Sequence, residues 1–339
     1  TAACSLQTSL STAYLATTQP SGTPTTKSLR ISLKKNEPNS SEPTLKSTTV
    51  SRSNNMTQAS YVQLSEGRQI GFQEYGDPDG KPVFFFHGWL GSRLDFAPNS
   101  EIATELGVRV ISVDRPGWGA SDFQRGRTLL GWTRDIAELA DELGFERFAV
   151  CGHSFGGPFV AACAKELGDR ITSACIVAGI SPLSFKGATK GMMSMVLFIL
   201  WVGGFAPQLL RPYVALMSKM IKSPGFSRKM VGSQLPDAEL ALLDSPRFEG
   251  FFEGLGEMTK NGSKGAYWDA RVFMNKWGFD CSEIQIPVSL FYGTADKNVP
   301  IQMGEYYRDA IPGAKAIFYE DEGHFIMFTR AREILNSLI

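Results

Sequence analysis

From Tyr61 onward, apolar and polar positions fall into short runs that alternate with longer, helically spaced stretches. Residues 61–64 and 69–75 alternate polar and apolar, the period of a half-buried strand. The turn Gly76-Asp-Pro-Asp-Gly80 then breaks the chain. Residues 83–86, 108–113, 147–151 and 171–178 are brief, nearly continuous apolar runs, as expected of strands covered on both faces of a parallel sheet. Between them, 97–106, 129–144 and 156–168 carry helical spacing. Strand and helix in alternation predict an α/β architecture with a mostly parallel sheet.

The alternation stops near Ser181. Residues 183–269 hold helical segments and no convincing strand. The pattern then resumes with a strand over 286–292, a helix over 301–311, a strand over 315–319 and a closing helix over 325–339. An interruption of this length exceeds a simple crossover, and it predicts a helical cap or lid set between two parts of one core, 57–182 and 270–339. Residues 1–56 differ from the rest: rich in Ser and Thr, with bases at Lys27, Arg30, Lys34 and Lys35 and no acid before Glu37. This composition predicts a disordered tail or an organelle transit peptide. The expected location is cytoplasmic by default, with plastid or mitochondrial targeting as the alternative.

Composition changes the picture mainly by exclusion. Of 339 residues, 43% are hydrophobic and 20% charged, with a net charge of +0. Such a chain can bury a large core and has no basic stripe for a phosphate backbone. The expected partner is a small apolar ester rather than nucleic acid; a bilayer-spanning helix is not expected, because Gly203-Gly204 and Pro207 interrupt the most apolar stretch, 192–202, and contact at the membrane interface is the less expected alternative. The five cysteines lack paired metal-site spacing, and no metal or organic cofactor is called for.

Chemistry enters at Gly152-His-Ser-Phe-Gly156. The pattern alone is unspecific, but here it stands between a predicted strand and a predicted helix, where a serine tops a sharp turn and flanking glycines let the backbone pass. Ser154 is the candidate nucleophile. The chain has only three histidines. His87 follows the third predicted strand, and His153 adjoins Ser154 and should point away from its hydroxyl. His324, in a loop between the last strand and the last helix, is left as the candidate base. Asp296 follows the strand at 289–292 and is the candidate acid; Asp321 and Glu322 are too near His324 in sequence to face its ring. The segment His87-Gly-Trp-Leu-Gly91 should supply a backbone N–H donor for an oxyanion, from Trp89 or Leu90, with Phe155 N–H as the second. His87, Gly88, Gly152, His153 and Gly156 support the elbow and loop. Phe198 and Trp201, in the apolar stretch, are the candidate pocket residues.

From Tyr61 to the C-terminus, these motifs resemble the α/β-hydrolase superfamily. The resemblance includes Asp114-Arg-Pro-Gly-Trp-Gly-Ala-Ser121, similar to the turn after the fourth strand, where the acid and the serine should tie the loop. It implies an eight-stranded sheet with helices on both faces and an inserted cap. Ser154 stands where epoxide hydrolases and haloalkane dehalogenases carry an aspartate, which argues against both. The loop also departs from the His-Gly-Gly-Gly of hormone-sensitive-lipase-like esterases and the His-Gly-Gly-Pro-Gly of proline iminopeptidases. The function expected is hydrolysis of a carboxylic ester or thioester through an acyl-enzyme. Acyl transfer, carbon–carbon hydrolysis, or a ligand receptor on a retained hydrolase scaffold are the alternatives.

Overall fold

The computed structural model describes residues 50–51, 58–233, 235–245 and 248–339. The expectations for the N-terminal tail, Cys4 included, fall outside these residues apart from Val50 and Ser51. The strands are β1 (Val50–Ser51), β2 (Ser60–Gln63), β3 (Gln69–Gly76), β4 (Lys81–Phe86), β5 (Val108–Val113), β6 (Phe148–His153), β7 (Ile171–Val177), β8 (Val288–Gly293) and β9 (Lys315–Tyr319). They form one sheet in the order β1-β2-β3-β5-β4-β6-β7-β8-β9. The eight expected strands are all present, and β1 adds a two-residue edge. The first three pairings are antiparallel and the rest parallel.

The parallel strands are apolar because helices cover both faces. On one face, α2 (Leu129–Leu143) and α3 (Gly157–Glu166) pack against Phe84, Phe86, Val150 and Ile176. On the other, Phe85, Val110, Cys151 and Val177 face residues of α1 (Ser100–Glu105) and of the C-terminal helices. Helix α2 shows why sequence periodicity locates such elements. Thr128 caps its N-terminus through Gly131 N, Leu129, Trp132, Ile136 and Leu139 form its buried stripe, and Gly144 ends it in the left-handed conformation.

Between β7 and β8 lie the helices α4 (Ser194–Phe205), α5 (Leu210–Ile221), α6 (Pro224–Gly232), α7 (Glu249–Glu257) and α8 (Lys264–Met274). After β8 come α9 (Ile301–Ala310), α10 (Ile326–Thr329) and α11 (Ala331–Asn336). The single closing helix expected over 325–339 is thus broken at Arg330, whose ψ of 20° departs from helical geometry. Among the described residues, no helix is long and apolar enough to cross a membrane. Cys151, Cys163, Cys175 and Cys281 are buried free thiols.

Candidate active site

Ser154 sits where β6 ends and α3 begins, with φ of 57°, a left-handed conformation that L-residues adopt only under constraint. The constraint is visible at the two glycines of the motif. A Cβ on Gly156 would stand 2.1 Å from the Phe86 carbonyl oxygen, and one on Gly152 would stand 2.6 Å from Gly156 O. Only hydrogen fits at either position, so the turn can fold tightly against β4. Ile180 N donates to Ser154 O at 3.1 Å. The Tyr292 and Tyr307 hydroxyls donate to Gly179 O and Ile180 O, both at 2.7 Å, and hold the neighbouring turn.

At this turn the structure assembles the three residues expected to act together. The Ser154 hydroxyl donates to His324 Nε2 at 2.9 Å, and His324 Nδ1–H donates to Asp296 Oδ2 at 2.7 Å. All three are buried. Asp296 Oδ1 accepts from Asn298 N at 2.7 Å and Val299 N at 2.9 Å, which fixes the carboxylate plane at the end of β8. Of the rival acids, Glu322 pairs with Arg330, and Asp321 is held by its backbone N–H, which donates to Thr294 Oγ1 at 2.9 Å.

The other two histidines support this arrangement. The His153 Nε2–H donates to the His324 carbonyl at 2.9 Å, ring against ring at 4.8 Å, and the ring lines the same cavity as Ser154. Burial, reinforced by the neighbouring His324, lowers its pKa to about 3, so it stays neutral. His87 is fully buried; its Nδ1–H donates to Gly88 O at 2.8 Å, and Nε2 accepts from Arg115 N at 3.3 Å. Burial and the Arg115 charge push its pKa well below the usual imidazole value.

The loop after β4 passes directly over the serine. A Cβ on Gly88 would meet Ser154 Cβ at 3.4 Å, and Leu90 takes a φ of 61°. The Arg115 guanidinium donates to the carbonyls of both His87 and Gly88, the latter at 3.1 Å. Arg115 itself is held by Asp269 of α8 at 2.9 Å, a carboxylate shared with Arg127 and with Trp118 Nε1 at 2.7 Å. Burial alone would raise the Asp269 pKa, but Arg115 and Arg127 together outweigh it and hold it low. The Asp114 segment is tied as expected. Asp114 accepts from Arg93 N and Ala120 N, and the Ser121 hydroxyl donates to Asp114 O.

A cavity of ≈ 120 Å³ opens on this cluster. It is lined by Trp89, Ser154, Phe155 and His324 below and by Met195, Val196, Ile199, Tyr213 and Met217 above. Phe198 and Trp201 do not line it, contrary to expectation: they are 52% and 65% exposed. The reason is helical phase. On α4 the inward positions are 196, 199 and 200, leaving 198 and 201 on the opposite face. An all-apolar helix gives no polar stripe from which that phase could be read. Sequence reasoning also missed two buried acids. Asp95 lines the cavity, and burial raises its pKa to about 7; its motif Ser92-Arg-Leu-Asp95, a capping box, was the available signal. Glu239, in the stretch between β7 and β8, accepts from Gly323 N beside His324, and nothing local in the sequence marks it.

Comparison with known proteins identifies the family. A family profile described as alpha/beta hydrolase fold matches residues 81–331, which include Ser154, Asp296 and His324. The chain belongs to the alpha/beta hydrolase fold family. A curated relative, a non-heme chloroperoxidase of Streptomyces lividans, is 27% identical over 81% of this chain and 96% of its own. The bifunctional esterase/perhydrolase DCH of Acinetobacter calcoaceticus is 25% identical over 82% and 98%. Among solved structures, a hydrolase from Pseudomonas aeruginosa PA01 superposes with a TM-score of 0.61 at 20% identity, covering 84% of this chain and 99% of its own. At that identity the likeness concerns the family fold alone.

Proposed function

We propose that this family member is a serine hydrolase acting on a carboxylic ester through an acyl-enzyme. The observation that carries the reading is the continuous relay from Ser154 Oγ to His324 Nε2 and from His324 Nδ1 to Asp296 Oδ2. In the first step the Ser154 oxygen attacks the ester carbonyl while its proton passes to His324 Nε2. Asp296 holds the imidazole in the tautomer that can accept it and stabilises the imidazolium. The tetrahedral oxyanion lies under the amides of Trp89 and Phe155. Collapse breaks the bond to the alcohol oxygen, which takes the proton from His324. Water then attacks the acyl-enzyme, gives its proton to His324, and releases the acid as Ser154 recovers the proton.

The cavity favours a small acyl group. Its ≈ 120 Å³ is near the roughly 150 Å³ of an engineered apolar void that takes up benzene. The helices between β7 and β8 act in this reading as a cap over the site. One relative carries both esterase and perhydrolase in its name; hydrogen peroxide attacking the same acyl-enzyme in place of water would release a peracid. Labelling with a fluorophosphonate probe, followed by a panel of p-nitrophenyl esters, tests the proposal. The wild type should label and turn over short-chain esters, and Ser154→Ala should do neither. A folded wild type that binds but does not label or turn over would instead favour a receptor on the hydrolase scaffold.

A further inference from the structure

The outer face of α4 and α5 has features that ester hydrolysis at the buried relay does not use. Helix α4, Ser-Met-Val-Leu-Phe-Ile-Leu-Trp-Val-Gly-Gly-Phe, has no charged residue on any side. Helices of this kind are normally covered all round, by protein or by lipid. Among the described residues only its inner side is covered. Phe198, Trp201 and Phe205, spaced i, i+3 and i+7, point outward, with Trp201 and Phe205 stacked at 6.1 Å and Phe205 83% exposed. Leu209, in the turn that follows, is 67% exposed, and Leu216 on α5 is 56% exposed. Tyr213 bridges the two helices through Met195 Sδ at 3.4 Å. Single exposed apolar residues are ordinary; a run of large ones along adjoining elements marks an interaction surface.

The charge of the segment that carries this face points to its partner. Residues 182–236 contain seven bases (Lys186, Lys190, Arg211, Lys219, Lys222, Arg228 and Lys229) and no acid. The whole chain has 34 acids in 339 residues, so about five would be expected in this stretch of 55. Arg228 is paired with Asp244, and the other six are exposed. On α5 the exposed Leu216, Lys219 and Met220 share one face by their i, i+3, i+4 spacing, while Val214, Met217 and Ile221 face inward. Aromatic and aliphatic side chains interspersed with lysines, and free of carboxylates, suit the interface of an anionic bilayer. Rings settle at headgroup depth, and the bases meet lipid phosphates.

We propose that the outer face of α4 and α5 docks this protein peripherally on a membrane containing anionic lipid. The sequence alone makes membrane contact the less expected outcome, with contact in the interface plane as its open alternative. The breaks in the apolar stretch forbid a spanning helix, and they leave a helix free to lie in the interface plane. Docking places the cavity one helix thickness, about 10 Å, from the lipid headgroups, because Met195, Val196 and Ile199 of the same helix α4 line it. The proposal goes beyond ester hydrolysis and does not depend on it.

The test is flotation of the full chain with liposomes of phosphatidylcholine alone or with about 30 mol% phosphatidylglycerol, at low salt and at about 0.5 M NaCl. Two variants are compared: Phe198→Ala/Trp201→Ala/Phe205→Ala, and Lys219→Glu/Lys222→Glu. Melting temperature serves as the folding control and sedimentation velocity as the control for self-association. The wild type should float with anionic liposomes at least tenfold more than with neutral ones, and high salt should weaken the binding. Each variant should lose at least tenfold in bound fraction while keeping its melting temperature. Wild type that stays with the soluble fraction, or variants that float as well as wild type, would overturn the proposal. So would a wild-type dimer that the triple-alanine variant converts to monomer with no liposome binding by either, since a second copy would then be the occupant of this face.

Discussion

Asp269→Asn is the change that most directly joins the fold to the candidate site. Asp269 is fully buried and compensates two buried guanidiniums, Arg115 and Arg127. Asparagine keeps the shape and one acceptor but removes the charge, leaving both guanidiniums without this carboxylate and with no route to solvent. Removing one partner of a buried ion pair costs about 3–5 kcal/mol. With about 2.1 cal/mol/K of unfolding entropy per residue over the roughly 280 described residues, that corresponds to a fall in melting temperature of about 5–8 °C. Arg115 also holds the carbonyls of His87 and Gly88, so the loop over Ser154 should loosen and fluorophosphonate labelling should slow at temperatures where the variant is still folded. The pH dependence has a definite sign. The Asp269 pKa is held below its usual value in the folded state, so its stabilisation is complete above the unfolded value, near pH 4, and is lost as pH falls through the folded value. The gap between wild type and Asp269→Asn in urea denaturation should therefore be full at pH 7 and 5 and begin to close below about pH 4. A variant melting within about 1 °C of wild type at pH 7 would refute the claim that this carboxylate compensates both arginines.

Three further predictions concern the site. His153 is neutral when folded, with a pKa of about 3, and takes up a proton near pH 6.5 when unfolded, so it lowers stability as pH falls below that value. His153→Gln, which keeps an N–H for the His324 carbonyl, should lessen the acid-side loss by about 1.4 kcal/mol per pH unit between pH 6 and 4, and an unchanged slope in urea titrations would count against a neutral buried ring. Glu239→Ala leaves the Gly323 N–H without its acceptor and should slow labelling of Ser154 about tenfold through misplacement of His324. Glu239→Gln retains an acceptor and should restore the rate; if both variants behave alike, Glu239 does not position that loop. Ile199→Phe projects into the cavity and should shift preference toward the shortest acyl esters, by about tenfold or more in kcat/KM per excluded methylene, whereas an unchanged chain-length profile would place the acyl group elsewhere.

Much of the core was legible in the sequence because its determinants are local. Strands buried on both faces had to be short apolar runs, as at 108–113, and α2 carried its own cap, stripe and terminating glycine. Ser154 was marked by glycines that the turn's sterics require, and the scarcity of histidine left His324 as the candidate base before any distance was known. Asp296 followed from its place at the end of a strand. What the sequence could not determine were relations among residues far apart in the chain. Asp269 meets Arg115 from 154 residues away, and Glu239 meets Gly323 from 84; neither meeting leaves a periodic trace. On α4 the sequence determined that every side is apolar, and only packing against the site decided that Ile199 faces the cavity while Phe198 and Trp201 face outward. Periodicity identifies a buried face by contrast with a polar one, and where that contrast is absent tertiary contact alone sets the orientation.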